Sequence, residues 1–390
     1  MKLVLTGKSI SNGRESENRA FLVDGGKITR VGGLELKTEN PDAEIIDLRE
    51  CLTLPGLIDT HVHGGNSYDT MDGTYEALNG MSLFKIKEGV TSFIPTTVTA
   101  SDEMTDAAIK GVGEAVKRGV GGAKIAGLFL EGPYINPKNK GAHPQEFIKE
   151  ISLPEILALV EKAQAAIPGK PLSIAVAPEL PGAAEAIKKL TGMGVRVRIG
   201  HSSATLDEAD AGVEAGAAAA IHTYNAMSPL NHREPGLVGA VLTNENLYGE
   251  IICDLVHVHA KAVRIVATAK GADKTVLITD CMRAGGLPDG ESTLGELPVI
   301  VKDGIARLKD GALAGSTATL LGCVKKIHER VGVPLADAVS MATCTPAKAA
   351  GIFDAVGSLD ENKRADIIAV DGALKLKFVM VDGEVKFLGL

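Results

Sequence analysis

Between Leu57 and Asp280 the chain repeats one texture eight times: a short apolar run, a turn, and in most repeats a longer segment whose apolar residues recur every three and four positions. The runs expected to be strands are Leu57–His63, Thr91–Thr97, Lys124–Glu131, Ser173–Pro178, Arg196–His201, Ala218–His222, Glu250–Asp254 and Val276–Asp280. Tyr75–Glu88, Asp102–Arg118, Pro154–Ala166 and Leu206–Ala215 read as helices between them, with Ser101 and Ser152 as expected N-caps. Eight such units point to a closed (β/α)8 barrel, although an open doubly wound sheet has the same local pattern.

What selects the barrel is where the polar residues fall. His61 and His63 end the first run, Glu131 the third, His201 the fifth, His222 the sixth and Asp280 the eighth. A barrel gathers the C-terminal ends of its strands on one face, and active sites are built there. Along an open sheet these six groups would be spread apart. The two-residue spacing of His61 and His63 sends both imidazoles to one side of a strand. Glu131 ends the otherwise apolar run Ile125–Leu130, and a buried carboxylate there needs a partner, for which a cation is suited. The competing reading is a set of histidines hydrogen-bonded in loops, with Asp280 as a helix cap.

The two ends of the chain have a different texture. Residues 1–54 and 357–390 carry short apolar runs broken by Asp-Gly and Gly-Gly turns. Each end alone has too few strands to be stable, so they are expected to form one small β-sandwich flanking a catalytic unit at 55–356. Aromatic residues make up only 3% of the 390 residues and Trp is absent, so the core must be filled by Ala, Val, Ile and Leu. A net charge of −8 argues against non-specific nucleic-acid binding. No apolar run approaches the ~20 residues of a membrane span, and the N-terminus does not read as a signal peptide. Five scattered cysteines without a CxxC suit reduced thiols, and a cytoplasmic location is expected.

The segment Pro55-Gly56-Leu57-Ile58-Asp59-Thr60-His61-Val62-His63-Gly64 resembles the first-strand signature of the amidohydrolase superfamily. Leu130-Glu131-Gly132-Pro133, Lys140-Gly141-Ala142-His143-Pro144, Gly200-His201-Ser202 and His222-Thr223-Tyr224-Asn225-Ala226-Met227 are similar to the N-acetylglucosamine-6-phosphate deacetylases in particular. So are Arg233-Glu234-Pro235-Gly236, Thr279-Asp280 and Leu313-Ala314-Gly315-Ser316, and the motifs run in order through the whole chain. The resemblance implies that Glu131, His201 and His222 hold the main metal ion, that Asp280 is the general base and acid, and that His143 is an oxyanion donor. A second ion on His61 and His63, bridged by Glu131, is chemically open because both imidazoles are kept. Nitrogen and oxygen donors without thiolate suit Zn, Fe, Mn or Co alike.

The same resemblance implies an amino-sugar phosphate as substrate, in a homodimer or homotetramer with no nucleic-acid or membrane partner. It assigns the phosphate to Asn225, the Ala226 backbone, His232 and Arg233, the last two from the chain's own or a neighbouring subunit, with His257 on the sugar hydroxyls and Leu313 lining the site. Read without it, Arg233 is a surface ion pair with Glu234. Three positions depart from the pattern: Cys281 follows the aspartate, Leu255-Val256 lacks the glycine usual before His257, and Asn362 stands where a turn glycine is common. The galacto epimer of the substrate, a cyclic amide, and a non-catalytic assembly role are the competing functions.

Overall fold

The structure, a computed structural model, describes residues 1–389. Its centre is a barrel of eight parallel strands in chain order: Leu57–Val62, Val90–Thr97, Leu128–Leu130, Leu172–Val176, Arg196–Ile199, Ala219–Ala220, Tyr248–Ile252 and Thr275–Ile278. The eighth strand meets the first through a parallel bridge between Val62 and Cys281, where the Asp280 N–H donates to the His61 carbonyl at 3.0 Å. All eight expected strands are present, and each functional residue lies at or just beyond the last paired residue of its strand.

Alternation explains which side chains face inward. Leu128 and Leu130 pack outward on the helices, whereas Phe129 points into the barrel, so Glu131 follows it inward. The same parity turns Arg198 and Glu250 inward between outward-facing Val197, Ile199 and Ile251. The helices follow their expected spans closely. Asp102–Arg118 is capped by the Ser101 hydroxyl on the Met104 N–H and buries Ala108, Ile109, Val112 and Ala115. Ser152 precedes Leu153–Ala166 but makes no side-chain cap; Pro154 in the first turn lacks one of the N–H groups a cap would serve.

Both termini build one seven-stranded sheet, with the C-terminal strand Ile367–Val370 paired antiparallel to Glu44–Pro55. The sheet curls on itself: the Gly26 carbonyl accepts from Ala365 and Ile28 exchanges hydrogen bonds with Asn362 and Lys363, in the segment leading into Ile367–Val370. Phe21, Val23 and Ile28 thereby share a buried cluster with Ile367, Phe378 and Met380. Asn362 takes φ 70°, which an amide side chain tolerates, as its place in a glycine turn predicts.

One element lies outside the expected strands. Gly290–Leu294, Leu297–Lys302 and Ile305–Arg307 form a three-stranded antiparallel insert after the eighth strand. It packs Leu294, Val299 and Val301 against Met71, Val98 and Met282 beside the barrel mouth.

Candidate metal centre and active site

At the mouth, four imidazoles are oriented by what their Nδ1 atoms touch. His63 faces the Thr96 carbonyl at 3.2 Å, His201 the Asn139 carbonyl at 2.7 Å and His222 the Asn225 carbonyl at 3.1 Å. His61 faces a carboxylate, Glu250 Oε2, at 3.0 Å. Carbonyls and carboxylates only accept, so Nδ1 carries the proton in each ring and every Nε2 presents a lone pair in the neutral form.

Those lone pairs converge. His201 Nε2 and His222 Nε2 lie 3.1 Å apart, and both approach Glu131 Oε1, at 3.2 and 3.1 Å. His63 Nε2 lies 3.1 Å from Glu131 Oε2 and 3.0 Å from Asp280 Oδ1. His61 Nε2 is buried with no hydrogen-bond partner, 3.4 Å from Glu131 and 3.6 Å from Asp280. Two lone pairs face to face and a third orphaned in a buried pocket are unfavourable unless a cation sits among them. Two groups have ligand atoms close enough to hold an ion: His61, His63 and Asp280, and Glu131, His143 and His201. The donor set therefore fits a divalent metal.

Electrostatics in the ion-free chain agree. Burial favours a neutral Glu131, but His61, His201 and His222 outweigh it and hold the carboxyl well below its usual range. Asp280 is likewise raised by burial and then drawn down to about 2 by His61 and His63. Burial lowers His63, yet Asp280 and Glu131 lift it to about 10. A cation bound there would take the place of those protons.

His143 differs from the other four. Its Nδ1 accepts the Thr99 backbone N–H at 3.1 Å, so the proton sits on Nε2, which faces Glu131 Oε2 at 3.7 Å. Burial, aided by His201, lowers this histidine to about 3, which keeps it neutral. It is a hydrogen-bond donor aimed at the mouth.

A cavity of about 170 Å³ opens over these groups and is lined also by Asn225, Ala226, His257, Leu294 and Leu313. Leu313 arrives through a bridge to Arg307 of the insert. The pose of His257 is fixed by Asp254, whose carboxylate accepts its Nδ1–H at 2.7 Å and the Val256 and His257 N–H groups at 2.9 Å. Leu255 takes φ 62° where the usual glycine is missing. His232 and Arg233 are exposed and off the cavity within the single chain. Arg233 forms no ion pair with Glu234 among the described residues; Glu234 accepts instead from the Leu206 and Gly236 N–H groups. Cys281 is fully buried, its thiol is pushed up to about 12 by burial, and its sulfur faces Gly285 and the Met282 carbonyl, away from the candidate ligand groups.

Sequence reasoning passed over Glu250, Arg198 and Thr99. Glu250 had a readable signal, a lone charge inside the strand Tyr248–Ile252, the same signal that singles out Glu131; Arg198 shares its strand with Arg196, and only alternation sets it facing inward. Thr99 reaches His143 Nδ1 through both its backbone N–H at 3.1 Å and its hydroxyl at 2.8 Å, and no sequence pattern marked it.

The amidohydrolase family model matches residues 52–386. The chain is 42% identical to an N-acetylglucosamine-6-phosphate deacetylase of Vibrio furnissii, over 92% of this chain and 88% of that one. It is 39% identical to an N-acetylgalactosamine-6-phosphate deacetylase of Escherichia coli O157:H7, over 92% of each. The crystal structure of N-acetylglucosamine-6-phosphate deacetylase from Pasteurella multocida superposes with a TM-score of 0.91 at 32% identity, covering 98% of this chain and 99% of that one.

Proposed function

This chain belongs to the amidohydrolase family, and on that premise we propose that it hydrolyses the acetamide of N-acetylglucosamine 6-phosphate to acetate and glucosamine 6-phosphate. The observation that carries the reading is the convergence of four Nε2 lone pairs with Glu131 and Asp280 beneath a cavity at the barrel mouth. Glu131, His201 and His222 would hold the main ion, and His61 and His63 a second one with Glu131 between them. A divalent ion of the Zn, Fe, Mn or Co kind lowers the pKa of coordinated water toward about 7 and polarises a carbonyl oxygen.

The chain's own residues supply the rest. Asp280, an ionised carboxylate within 3.0 Å of His63 Nε2, can accept the proton of the attacking water, then return it to the departing amine. His143, neutral and protonated on Nε2, donates to the oxygen that gains charge as the carbonyl becomes tetrahedral. His257, braced by Asp254, faces the same cavity and is placed for sugar hydroxyls, with Asn225, the Ala226 backbone and Leu313 around the remainder.

His232 and Arg233 would serve the phosphate of a neighbouring copy, in a dimer or tetramer; Leu230, 56% exposed beside them, gives that loop an apolar contact. We assign catalysis to 55–356 and a supporting role to the paired termini, 1–54 with 357–390. No helix among the described residues is long and apolar enough to cross a membrane, and five free thiols suit the cytoplasm.

The galacto epimer is a second reading, because the relative named for that activity is nearly as similar. Acetate release from N-acetylglucosamine 6-phosphate, its galacto epimer and the unphosphorylated sugar, before and after chelation, separates them. Chelator-sensitive turnover greatest on the phosphorylated gluco sugar is expected; a preference for the galacto sugar selects the second reading, and no turnover by metal-replete protein on any of the three overturns both.

A further inference from the structure

One histidine at the mouth is supported unlike the others. His63, His201 and His222 hand their Nδ1 protons to neutral backbone carbonyls, whereas His61 hands its proton to the Glu250 carboxylate at 3.0 Å. Glu250 is itself pinned. Its other oxygen accepts from Arg198 Nη1, which also donates to the Thr60 carbonyl at 3.1 Å, while Arg198 Nη2 donates to Ser173 Oγ at 3.1 Å. The guanidinium lies over the Phe129 ring at 4.3 Å, and that ring meets His61 edge-on at 4.9 Å.

Arg198 and Glu250 are 4% and 2% exposed, so this is a closed layer across five barrel strands directly below the mouth. A buried ion pair seldom adds net stability over apolar packing of the same volume, which directs attention to what the pair touches. A carboxylate accepting the Nδ1–H makes the imidazole a stronger donor through Nε2 than a carbonyl does, and fixes its tautomer and tilt. The His61 Nε2 so prepared is the orphaned one.

We propose that Glu250, held by Arg198, is a positioning residue that makes His61 the strongest of the four imidazole donors and thereby sets how tightly the His61–His63 ion is retained, independently of the ion on His201 and His222. The inference rests on the two-ion reading above. It goes beyond that reading in assigning control of the second ion to a charged pair that does not reach the cavity.

The test is metal retention by the purified holoenzyme after reconstitution with Zn²⁺, measured as ions per chain during dialysis against rising chelator. Wild type is expected to release its ions in two steps, with His61→Ala removing one of them. In Glu250→Gln that step is expected at roughly 10–100-fold lower chelator, with the other step unmoved. Because Glu250→Gln strands a buried guanidinium, the double variant Glu250→Gln/Arg198→Met serves as its folding control and should show the same selective loss. Glu250→Asp, keeping the charge, should recover part of the retention. Equal shifts of both steps, or no shift, overturn the proposal while leaving two ions in place. A wild type with a single step that His61→Ala does not alter overturns the two-ion reading itself.

Discussion

The terminal sheet and the barrel mouth both contain left-handed backbone, but with different residues. In the terminal unit the non-glycine positions with positive φ are Asn12, Asn18, Asn362 and Asp382, with Leu374 an exception. At the mouth they are His201, His222, Tyr224, Ala226, Leu255 and Asp280, with φ from 31° to 79°. Asn, Asp and His adopt this conformation more readily, whereas Tyr224, Ala226 and Leu255 at the mouth carry about 1–2 kcal/mol of strain apiece. The sheet uses left-handed residues to turn the chain. The mouth uses them to swing side chains off the strand ends into one small volume.

The same contrast appears in hydrogen bonding. The terminal sheet closes on itself through paired backbone groups, such as Asn362 with Ile28 at 2.7 Å. The mouth leaves His61 Nε2 unpartnered and sets His201 against His222 at 3.1 Å. One region is complete as protein, and the other is completed by what it binds.

The largest effect expected at the mouth is from Asp280→Asn, which should lower kcat by about 10²–10⁴-fold with the chain still folded. Steady-state acetate release checks it, and unchanged turnover would remove Asp280 from proton transfer. His143→Gln should cost about 10²–10³-fold in kcat by removing one oxyanion donor. A loss confined to KM would instead make His143 a binding group.

A third prediction concerns stability and pH. Burial lowers His257, but Asp254 outweighs it and raises it above 6.5; burial raises Asp254, but His257 brings it below 3.8. The raised His257 contributes fully below its unfolded value of 6.5 and fades as pH rises through its folded value. The lowered Asp254 contributes fully above 3.8 and fades as pH falls through its own. The pair should therefore stabilise most between about pH 3.8 and 6.5, by about 1.5–3 kcal/mol. Thermal melts of wild type and His257→Asn should differ most in that window and converge at alkaline pH; a constant difference would contradict the pairing.

The smallest effect sharpens the comparison directly. Ala226→Gly relieves a strained position at the mouth and should stabilise by about 0.5–1 kcal/mol. Asn362→Gly in the terminal sheet should change stability by only a few tenths. Denaturant midpoints measure both, and equal gains would mean that strain is not concentrated at the mouth.

The barrel was legible because six of the eight apolar runs end on a charged or imidazole residue, the other two ending on Thr97 and Pro178, and parity along Phe129–Glu131 and His61–His63 decided which side chains meet. The insert at 290–307 was missed although Asp303-Gly304 marks the turn between its second and third strands, because eight strands were already accounted for. His143 was visible as a motif residue, but its tautomer depends on the Thr99 N–H, a backbone group that no sequence pattern reports. His232 and Arg233 carry the family motif yet lie outside the single-chain cavity, since a sequence does not say which copy a loop serves.

The central claim is that the mouth is finished by metal, and anomalous scattering from crystals of catalytically active protein tests it most directly. The account predicts a peak about 2.0–2.2 Å from both His201 Nε2 and His222 Nε2, with Glu131 as a further ligand. Crystals that turn over substrate with no anomalous peak among these residues would contradict it.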